Sequence, residues 1–249
     1  MTMRRQPFTS KLPPPTIRIY TDFDGTMTQE DVGADLFRHF SGEEYFEDIR
    51  GRWKAGELEA PAAYQALCRR ISSLTMRQLR DFLAPYEIDP AFPRFMRWCD
   101  EHGYPLLVLS DGVDLYIDLL MEKAGIEFQY LSNTMRLTGG SPLMDFPYFD
   151  SRCPEVAHCK SNQVALRSQE DDIIVYIGDG TSDFEAAGYA DMVLARGALE
   201  TYCQEQNITF RRFYNFTTVR EILSLMISQN TLRRKKRAQV RRRQLWAGG

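Results

Sequence analysis

The sequence predicts an α/β fold: a doubly wound parallel sheet carrying a small all-helical cap inserted after its first strand. Two observations carry that prediction. Short apolar runs, three of which stop at a polar turn, alternate with stretches of helical spacing, as in a parallel sheet buried on both faces. One block, from Asp31 to Asp89, breaks the alternation and shows helical spacing only.

Taken in order, Thr16 to Tyr20 alternates and is β-branched, so it reads as the first strand, leading into Asp22-Phe-Asp-Gly-Thr26. Within the insertion, Leu36-Phe37-Phe40, Tyr64-Leu67-Cys68-Ile71 and Met76-Leu79-Phe82-Leu83 recur at helical spacing. Pro105 to Leu109 is the second strand and ends at Ser110-Asp111-Gly112. Ile173 to Ile177 is the third and ends at Gly178-Asp179-Gly180, and Asp191 to Ala195 is a short fourth. Helices are expected over Val113 to Lys123, Ser161 to Ser168 and Phe184 to Ala190. The expected division is an N-terminal extension (1–15), a core (16–30 and 90–228), a helical cap (31–89) and a basic C-terminal tail (229–249).

Composition narrows the function class. The chain of 249 residues is 43% hydrophobic, enough for one sizeable core. The net charge of −3 is unevenly spread, because Arg233 to Arg243 holds eight basic residues and no acidic one. Without them the body stands at about −11, which argues against nucleic acid as the main partner, since phosphate backbones need a basic surface. The basic tail has two readings: attachment to an anionic surface such as a membrane or RNA, or a disordered solvated terminus, the reading we prefer. No apolar run follows Arg4 and Arg5, and no window reaches 18 apolar residues, so neither a signal peptide nor a membrane span is expected. Five cysteines, an odd number, then fit reduced thiols and a cytoplasmic location.

Ligands of open parallel sheets bind beyond the carboxyl ends of the strands. That rule gathers Asp22, Asp24, Ser110, Asp179 and Asp183 at one edge. Asp22 and Asp24, two apart, point the same way if the segment is extended. Carboxylates held close need a shared proton or a cation, and a hard divalent ion such as Mg2+ takes oxygen ligands. One Asp can then attack phosphorus while another serves as general acid and base, provided a cation and a lysine offset the negative charge. Taken alone, Asp-X-Asp-Gly is also a common turn.

Asp22-Phe-Asp-Gly-Thr-Met-Thr28, Ser110 behind its apolar strand, Lys160, and Gly178-Asp-Gly-Thr-Ser-Asp183 occur in this order over Thr16 to Ala195. Together they resemble the four motifs of haloacid dehalogenase-like (HAD) hydrolases, which have a Rossmann-like core. The resemblance implies Asp22 as nucleophile and Asp24 as acid. It implies Ser110 and Lys160 on the phosphoryl oxygens, with Gly25, Thr26, Asp31, Asp111 and Gly112 around the substrate. Mg2+ would sit on Asp22, the Asp24 carbonyl and Asp179, with Asp183 acting directly or through water. An acid at Asp24 looks like a phosphatase. The related transport ATPases carry Thr there, and the dehalogenases lack the metal-binding acids. A helical insertion at this place is similar to the cap of the phosphoserine phosphatase-like branch, which closes over small phosphomonoesters.

For the substrate, Arg152-Cys-Pro-Glu-Val-Ala-His-Cys-Lys160 resembles two groups. One is the methionine-salvage phosphatases acting on 2-hydroxy-3-keto-5-methylthiopentenyl-1-phosphate, and the other the phosphoethanolamine/phosphocholine phosphatases. Ala195-Arg196 and Cys203-Gln-Glu-Gln-Asn207 look like the former. Phosphoserine phosphatases usually carry Glu nine residues past the nucleophile, where this chain has Asp31. Asp111 either faces a substrate ammonium or caps the following helix, and we favour the cap. Arg50, Arg52 and Lys54 either meet a substrate carboxylate or carbonyl or form a solvated face. Cys153, His158 and Cys159 are one short of a structural zinc site, so zinc is not expected. Cys68 and Cys99 read as buried, His39 and His102 as surface or helix-end residues, and Phe146 to Phe149 as a loop packed at the cap mouth. An alternative of another class, a non-catalytic phosphometabolite sensor, would not need both a nucleophile and an acid.

Overall fold

The sequence folds around a central strand whose end carries the first acidic motif. A computed structural model describes residues 16–247. The expected extension 1–15 and the last two residues of the tail lie outside the described residues. Strand β1 (Ile17–Thr21) is followed by four helices with no strand among them: α1 (Val32–Ser41), α2 (Glu43–Lys54), α3 (Ala60–Arg70) and α4 (Met76–Leu83). Local chemistry starts several of them. The Asp31 carboxylate accepts from Ala34 N and caps α1. Pro61 sits in the first turn of α3, and Thr75 with Gln78 forms a capping box on α4. Leu36, Phe37, Leu67, Cys68, Leu79 and Leu83 are the apolar positions that this spacing buries. An isolated antiparallel bridge, Thr28 to Ile88, brings the two ends of the block together.

The chain continues through α5 (Phe92–His102), β2 (Leu106–Val113), α6 (Asp114–Ala124), β3 (Tyr130–Arg136), β4 (Leu143–Asp145), α7 (Lys160–Leu166) and β5 (Ile173–Gly178). A 3-10 turn, Thr181–Asp183, leads into α8 (Phe184–Ala187), and β6 (Met192–Ala195), α9 (Gly197–Glu205), β7 (Phe210–Arg212), α10 (Phe216–Ser228) and α11 (Lys236–Ala247) follow. The sheet order is β4-β3-β2-β1-β5-β6-β7, parallel except between β3 and β4. The strand order reverses between β1 and β5, the place where such sheets open a ligand crevice. Ile19, Val108, Val175 and Ile177 face α5, α6 and α10 on one side. Tyr20, Leu109, Ile174 and Tyr176 face α7, α8 and α9 on the other. Every residue of β5 is buried, which is why its sequence is continuously apolar.

Three strands escape the sequence pattern. β4 and β7 have three residues each at the sheet margins, and β3 (Tyr-Leu-Ser-Asn-Thr-Met-Arg) carries polar residues in its interior. The second strand runs on past Leu109 to Val113, with an irregular register against β3 between those two residues. That irregularity carries Ser110 and Asp111 within the strand rather than after it. The helix expected over Phe184 to Ala190 is cut to four residues plus the 3-10 turn.

The tail corrects the sequence reading. Its last twelve described residues form α11, packed beside α7, with Arg242 buried and six of the eight basic residues exposed. Arg242 is 1% exposed and donates to Tyr189 O and to the buried Asp191 carboxylate, while Lys235 N donates to the other Asp191 oxygen. Arg234, Arg241 and Arg243 pair with Asp171, Glu185 and Glu170. Trp246 Nε1 donates to Ala165 O at 2.8 Å. Four of the eight basic residues thus answer acids of the body, and a charge run alone does not reveal such partners in distant segments. No helix among the described residues is long and apolar enough to cross a membrane.

Candidate active site

Beyond the carboxyl ends of β1, β2 and β5, three chain segments converge on a lysine. Asp22, 4% exposed, follows β1, and its backbone N–H continues the sheet ladder to Ile177 O. Lys160, the first residue of α7, is buried, and its ammonium donates to Asp22 Oδ1 at 2.5 Å, Asp183 Oδ1 at 2.7 Å and Ser182 Oγ at 2.9 Å. Burial works against the ammonium, but the charges of Asp183 and Asp22 prevail and hold its pKa above the ordinary lysine value. Burial and the neighbouring Asp183 push the Asp22 carboxyl well above the usual range. Asp179 rises to about 6 for the same two reasons.

Asp22, Asp179 and Asp183 have oxygens within 4.8 Å of one another, the one such group of three among the described residues. The donor set is all oxygen and under-compensated, which fits a hard divalent cation. Within the cluster the roles divide. Asp183 is saturated: Oδ1 accepts from Lys160 and from Tyr176 OH (2.6 Å), and Oδ2 from the Asp179 and Gly180 amides (3.0 Å each). Asp179 Oδ1 accepts from Thr26 Oγ1 at 2.6 Å. Thr26 therefore spends its hydroxyl on Asp179. Gly25, at φ +71°, passes so close to Asp179 that a Cβ there would collide with its carboxylate.

Asp24 has a separate environment. Tyr116 OH donates to Oδ2 at 2.5 Å, Ser110 Oγ to the same oxygen at 3.2 Å, and Gly33 N to Oδ1 at 3.2 Å. Burial foremost, then the Asp31 charge, lifts its pKa to about 7 despite those donors. A Cβ on Gly112 would displace the Tyr116 hydroxyl and lie 2.7 Å from Asp24 Oδ2, so this position must be Gly. Ser110 thus contacts Asp24, and also accepts from Gly112 N at 3.0 Å.

The helix-capping reading of Asp111 is not what the structure has. α6 starts at Asp114 with Val113 in the cap position and no side-chain cap bond. The Asp111 carboxylate accepts from His158 N at 2.7 Å instead, because the irregular end of β2 turns it toward the segment before Lys160. Burial lifts its pKa to about 7, against the Lys160 charge and the His158 and Ala157 amides. His158 is buried and neutral, its pKa pulled down to about 3 chiefly by burial, and its Nδ1–H donates to Ser110 O at 2.8 Å. It therefore serves the Ser110-Asp111 turn and is not gathered with Cys153 and Cys159 into a donor group.

A cavity of about 410 Å3 opens over these groups. Phe37, Phe46, Trp53, Tyr64 and Leu67 from α1–α3 form its apolar wall, with Arg50 and Lys54 at the rim and Asp22, Asp24, Asp31, Asp111, Gly112 and Asp179 at the floor and side. Arg52 is not part of the lining and pairs with Glu57. Phe146 stacks on Tyr64, its ring centre 6.1 Å away. Cys68 and Cys99 are buried and His39 and His102 exposed, as read from the sequence.

Sequence reasoning missed Tyr116, Tyr176, Ser182 and the function of Arg196. Arg196 donates to the carbonyls of Gly25, Thr26 and Thr28 and so fixes the turn after β1. The two tyrosines lie on apolar faces where they read as ordinary core, and nothing local distinguishes them.

A model of haloacid dehalogenase-like hydrolases matches residues 19–188. A 2-hydroxy-3-keto-5-methylthiopentenyl-1-phosphate phosphatase of Exiguobacterium sibiricum is 29% identical over 204 residues, covering 81% of this chain and 93% of the relative. One of the same name from Bacillus mycoides is 28% identical over 207 residues, covering 82% and 94%. Among solved structures, a probable phosphoserine phosphatase from Vibrio cholerae superposes with TM-score 0.64 at 20% identity, over 89% of this chain and 69% of that one. A phospho-aspartyl intermediate analogue of phosphoserine phosphatase gives 0.59 at 16% identity, over 85% and 99%.

Proposed function

For a chain that belongs to the haloacid dehalogenase-like hydrolase family and is a phosphatase, we propose a Mg2+-dependent reaction through an aspartyl-phosphate on Asp22. The observation that carries this reading is the split between two carboxylates. Burial raises both, but Asp22 accepts from the Lys160 ammonium, whose charge favours its ionised form, while Asp24, two residues on, meets only the neutral donors Tyr116, Ser110 and Gly33 and rises to about 7. Two carboxyl groups in environments this different take different roles. Asp22 attacks phosphorus; Asp24, protonated, gives its proton to the departing alkoxide oxygen. Asp24, now a carboxylate, takes a proton from water, whose oxygen attacks phosphorus and releases phosphate and free Asp22. Lys160 balances the charge of Asp22 and of the phosphoryl oxygens, and Ser110 reaches them from the side of Asp24. Mg2+ would be held by Asp22, the Asp24 carbonyl and Asp179, with Asp183 helping directly or through water, and would supply the positive charge that lets an anionic substrate approach.

Residues 31–89 act as the cap, and their wall supports a choice of substrate. Phe37, Phe46, Trp53, Tyr64 and Leu67 suit a substrate with an uncharged, thioether-like end. Arg50 and Lys54 stand at the rim for a carbonyl or enol oxygen. This matches the name carried by the relatives, so the favoured substrate is the methionine-salvage phosphomonoester. Phosphoserine is disfavoured, since the chain has Asp31 where phosphoserine phosphatases usually carry Glu. One observation supports a second reading, phosphocholine or phosphoethanolamine: Asp31 and Asp111 flank the aromatic wall, and such a set can hold an ammonium group. The deciding experiment measures kcat/KM for all three substrate types with Mg2+ and with EDTA. The thioether substrate should lead by at least about tenfold, and EDTA should abolish turnover. Preference for phosphocholine would overturn the substrate choice, and activity surviving EDTA would overturn the metal.

A further inference from the structure

Just before Lys160, Cys153 and Cys159 lie six positions apart in sequence with their Sγ atoms 2.8 Å apart. Both backbone ends are fixed: Cys153 N donates to Asp150 O (2.8 Å) and Cys159 N to Tyr148 O (3.0 Å). A disulfide needs the sulfurs at about 2.05 Å, a closure of under about 1 Å. A cavity of about 160 Å3, lined by Cys153, Cys159, Lys160, Ser182 and Phe184 among others, borders the pair, with Cys153 half-buried and Cys159 buried beneath it. We propose that Cys153 and Cys159 are a reversible redox modification site, a dithiol that hydrogen peroxide converts to a disulfide.

The rest of the molecule makes the site selective. The hydrogen bond from Cys153 draws the Cys159 thiol down to about 7, against its burial, and in turn holds Cys153 well above the ordinary thiol value, whereas burial pushes Cys68 and Cys99 up to about 12 and Cys203 up to about 11. Reactivity toward peroxide follows thiolate character and access. The chemistry balances in two steps. The Cys159 thiolate attacks one peroxide oxygen; the S–O bond forms, the O–O bond breaks, and hydroxide leaves as water. Cys153 then loses its proton and attacks the Cys159 sulfur, displacing the hydroxyl as a second water. Peroxide is reduced to two waters, and the two thiols are oxidised to one disulfide.

The bond would close a strap with contacts at both ends. Between the two cysteines, Pro154 O accepts from Ala60 N (2.8 Å) at the start of α3, and Glu155 O accepts from Trp53 Nε1 (2.9 Å) of α2. His158 holds Ser110 and Asp111, and Cys159 leads directly into Lys160. The oxidised strap therefore restrains the helical insertion against the segment that carries Lys160. This inference is independent of the reaction proposed above, and its first readout is mass.

The test treats the full chain with hydrogen peroxide at equimolar dose, alkylates free thiols, and maps the unreduced digest by mass spectrometry. The expected product is a Cys153–Cys159 link with loss of two hydrogens, restored by dithiothreitol, with Cys68, Cys99 and Cys203 still alkylated. In Cys153→Ser the oxidation should stop at a Cys159 sulfenic acid that dimedone traps. Hydrogen–deuterium exchange should slow at Ala60 and at Glu155 to His158 by at least about threefold in the oxidised chain. An unlinked wild-type chain, or a link through another cysteine, overturns the site. Unchanged exchange in a linked chain overturns the restraint.

Discussion

Asp22 and Asp24 share one turn and one residue type, and only their partners distinguish them. Replacing Asp22 with Asn removes the proposed nucleophile but keeps the shape, so hydrolysis of p-nitrophenyl phosphate should fall by at least about a thousandfold while circular dichroism stays unchanged. Tyr116 offers a finer test. Its hydroxyl donates to Asp24 and favours the ionised form, so Tyr116→Phe should raise the Asp24 pKa above about 7. Leaving-group protonation needs the acid form, so the alkaline limb of the pH–rate profile should move upward. kcat should drop by about tenfold, the size of one hydrogen bond near 1.4 kcal/mol. A profile that stays in place would remove Tyr116 from any influence on Asp24. The family resemblance gives Asp24 its expected role as acid, but not the pKa that suits it to that role, because a pKa is set by burial and by donors from Gly33, Ser110 and Tyr116, none of which a linear motif displays.

At the scale of elements, the strands that were legible are those buried on both faces. β2, β5 and β6 announce themselves as apolar runs and β1 as a β-branched alternation because helices cover them on two sides, while β3, β4 and β7 lie toward the margins and need no such run. The helix α11 shows the opposite failure, in which a strongly basic segment was read as solvated and turns out to be docked. Its anchor is the Arg242–Asp191 pair, 1% and 0% exposed. Removing one partner of a buried pair leaves a stranded charge, so Arg242→Ala should cost about 3–5 kcal/mol in urea unfolding, partly relieved by Asp191→Asn in the same chain. A loss below about 1 kcal/mol would mean that α11 does not depend on this pair. In α2, Trp53→Ala should raise KM for the favoured substrate by about tenfold and leave kcat little changed, because the indole contributes to the binding wall and not to the reacting atoms.

Across the whole molecule, the site concentrates carboxyl groups whose folded pKa values lie above their unfolded ones: Asp22 well above, Asp24 and Asp111 at about 7, and Asp179 at about 6. Such groups contribute stability that is full below the unfolded value of about 4 and is lost as pH rises through the folded values. Metal-free protein should therefore melt at a lower temperature at pH 8 than at pH 5.5. Mg2+ should raise the melting temperature more at pH 8, since a cation held there would bind the ionised cluster. Equal gains at both pH values, or none, would separate the acidic cluster from the cation.

The family resemblance supplied Lys160; by itself, the sequence determined the class of the sheet, the helical block after its first strand, and the set Asp22, Asp24, Ser110, Asp179 and Asp183 that gathers at one edge. Those features follow from local periodicity and from the rule that parallel strands present their carboxyl ends together. Only the tertiary structure decided that Asp24 sits beside Tyr116 and Asp22 beside Lys160, that Asp111 faces His158, that aromatic residues of α1–α3 wall the cavity, and that the basic tail is a docked helix. Each of those depends on contacts between residues far apart in the chain, and burial and pairing at such distances leave no periodic trace in a single sequence.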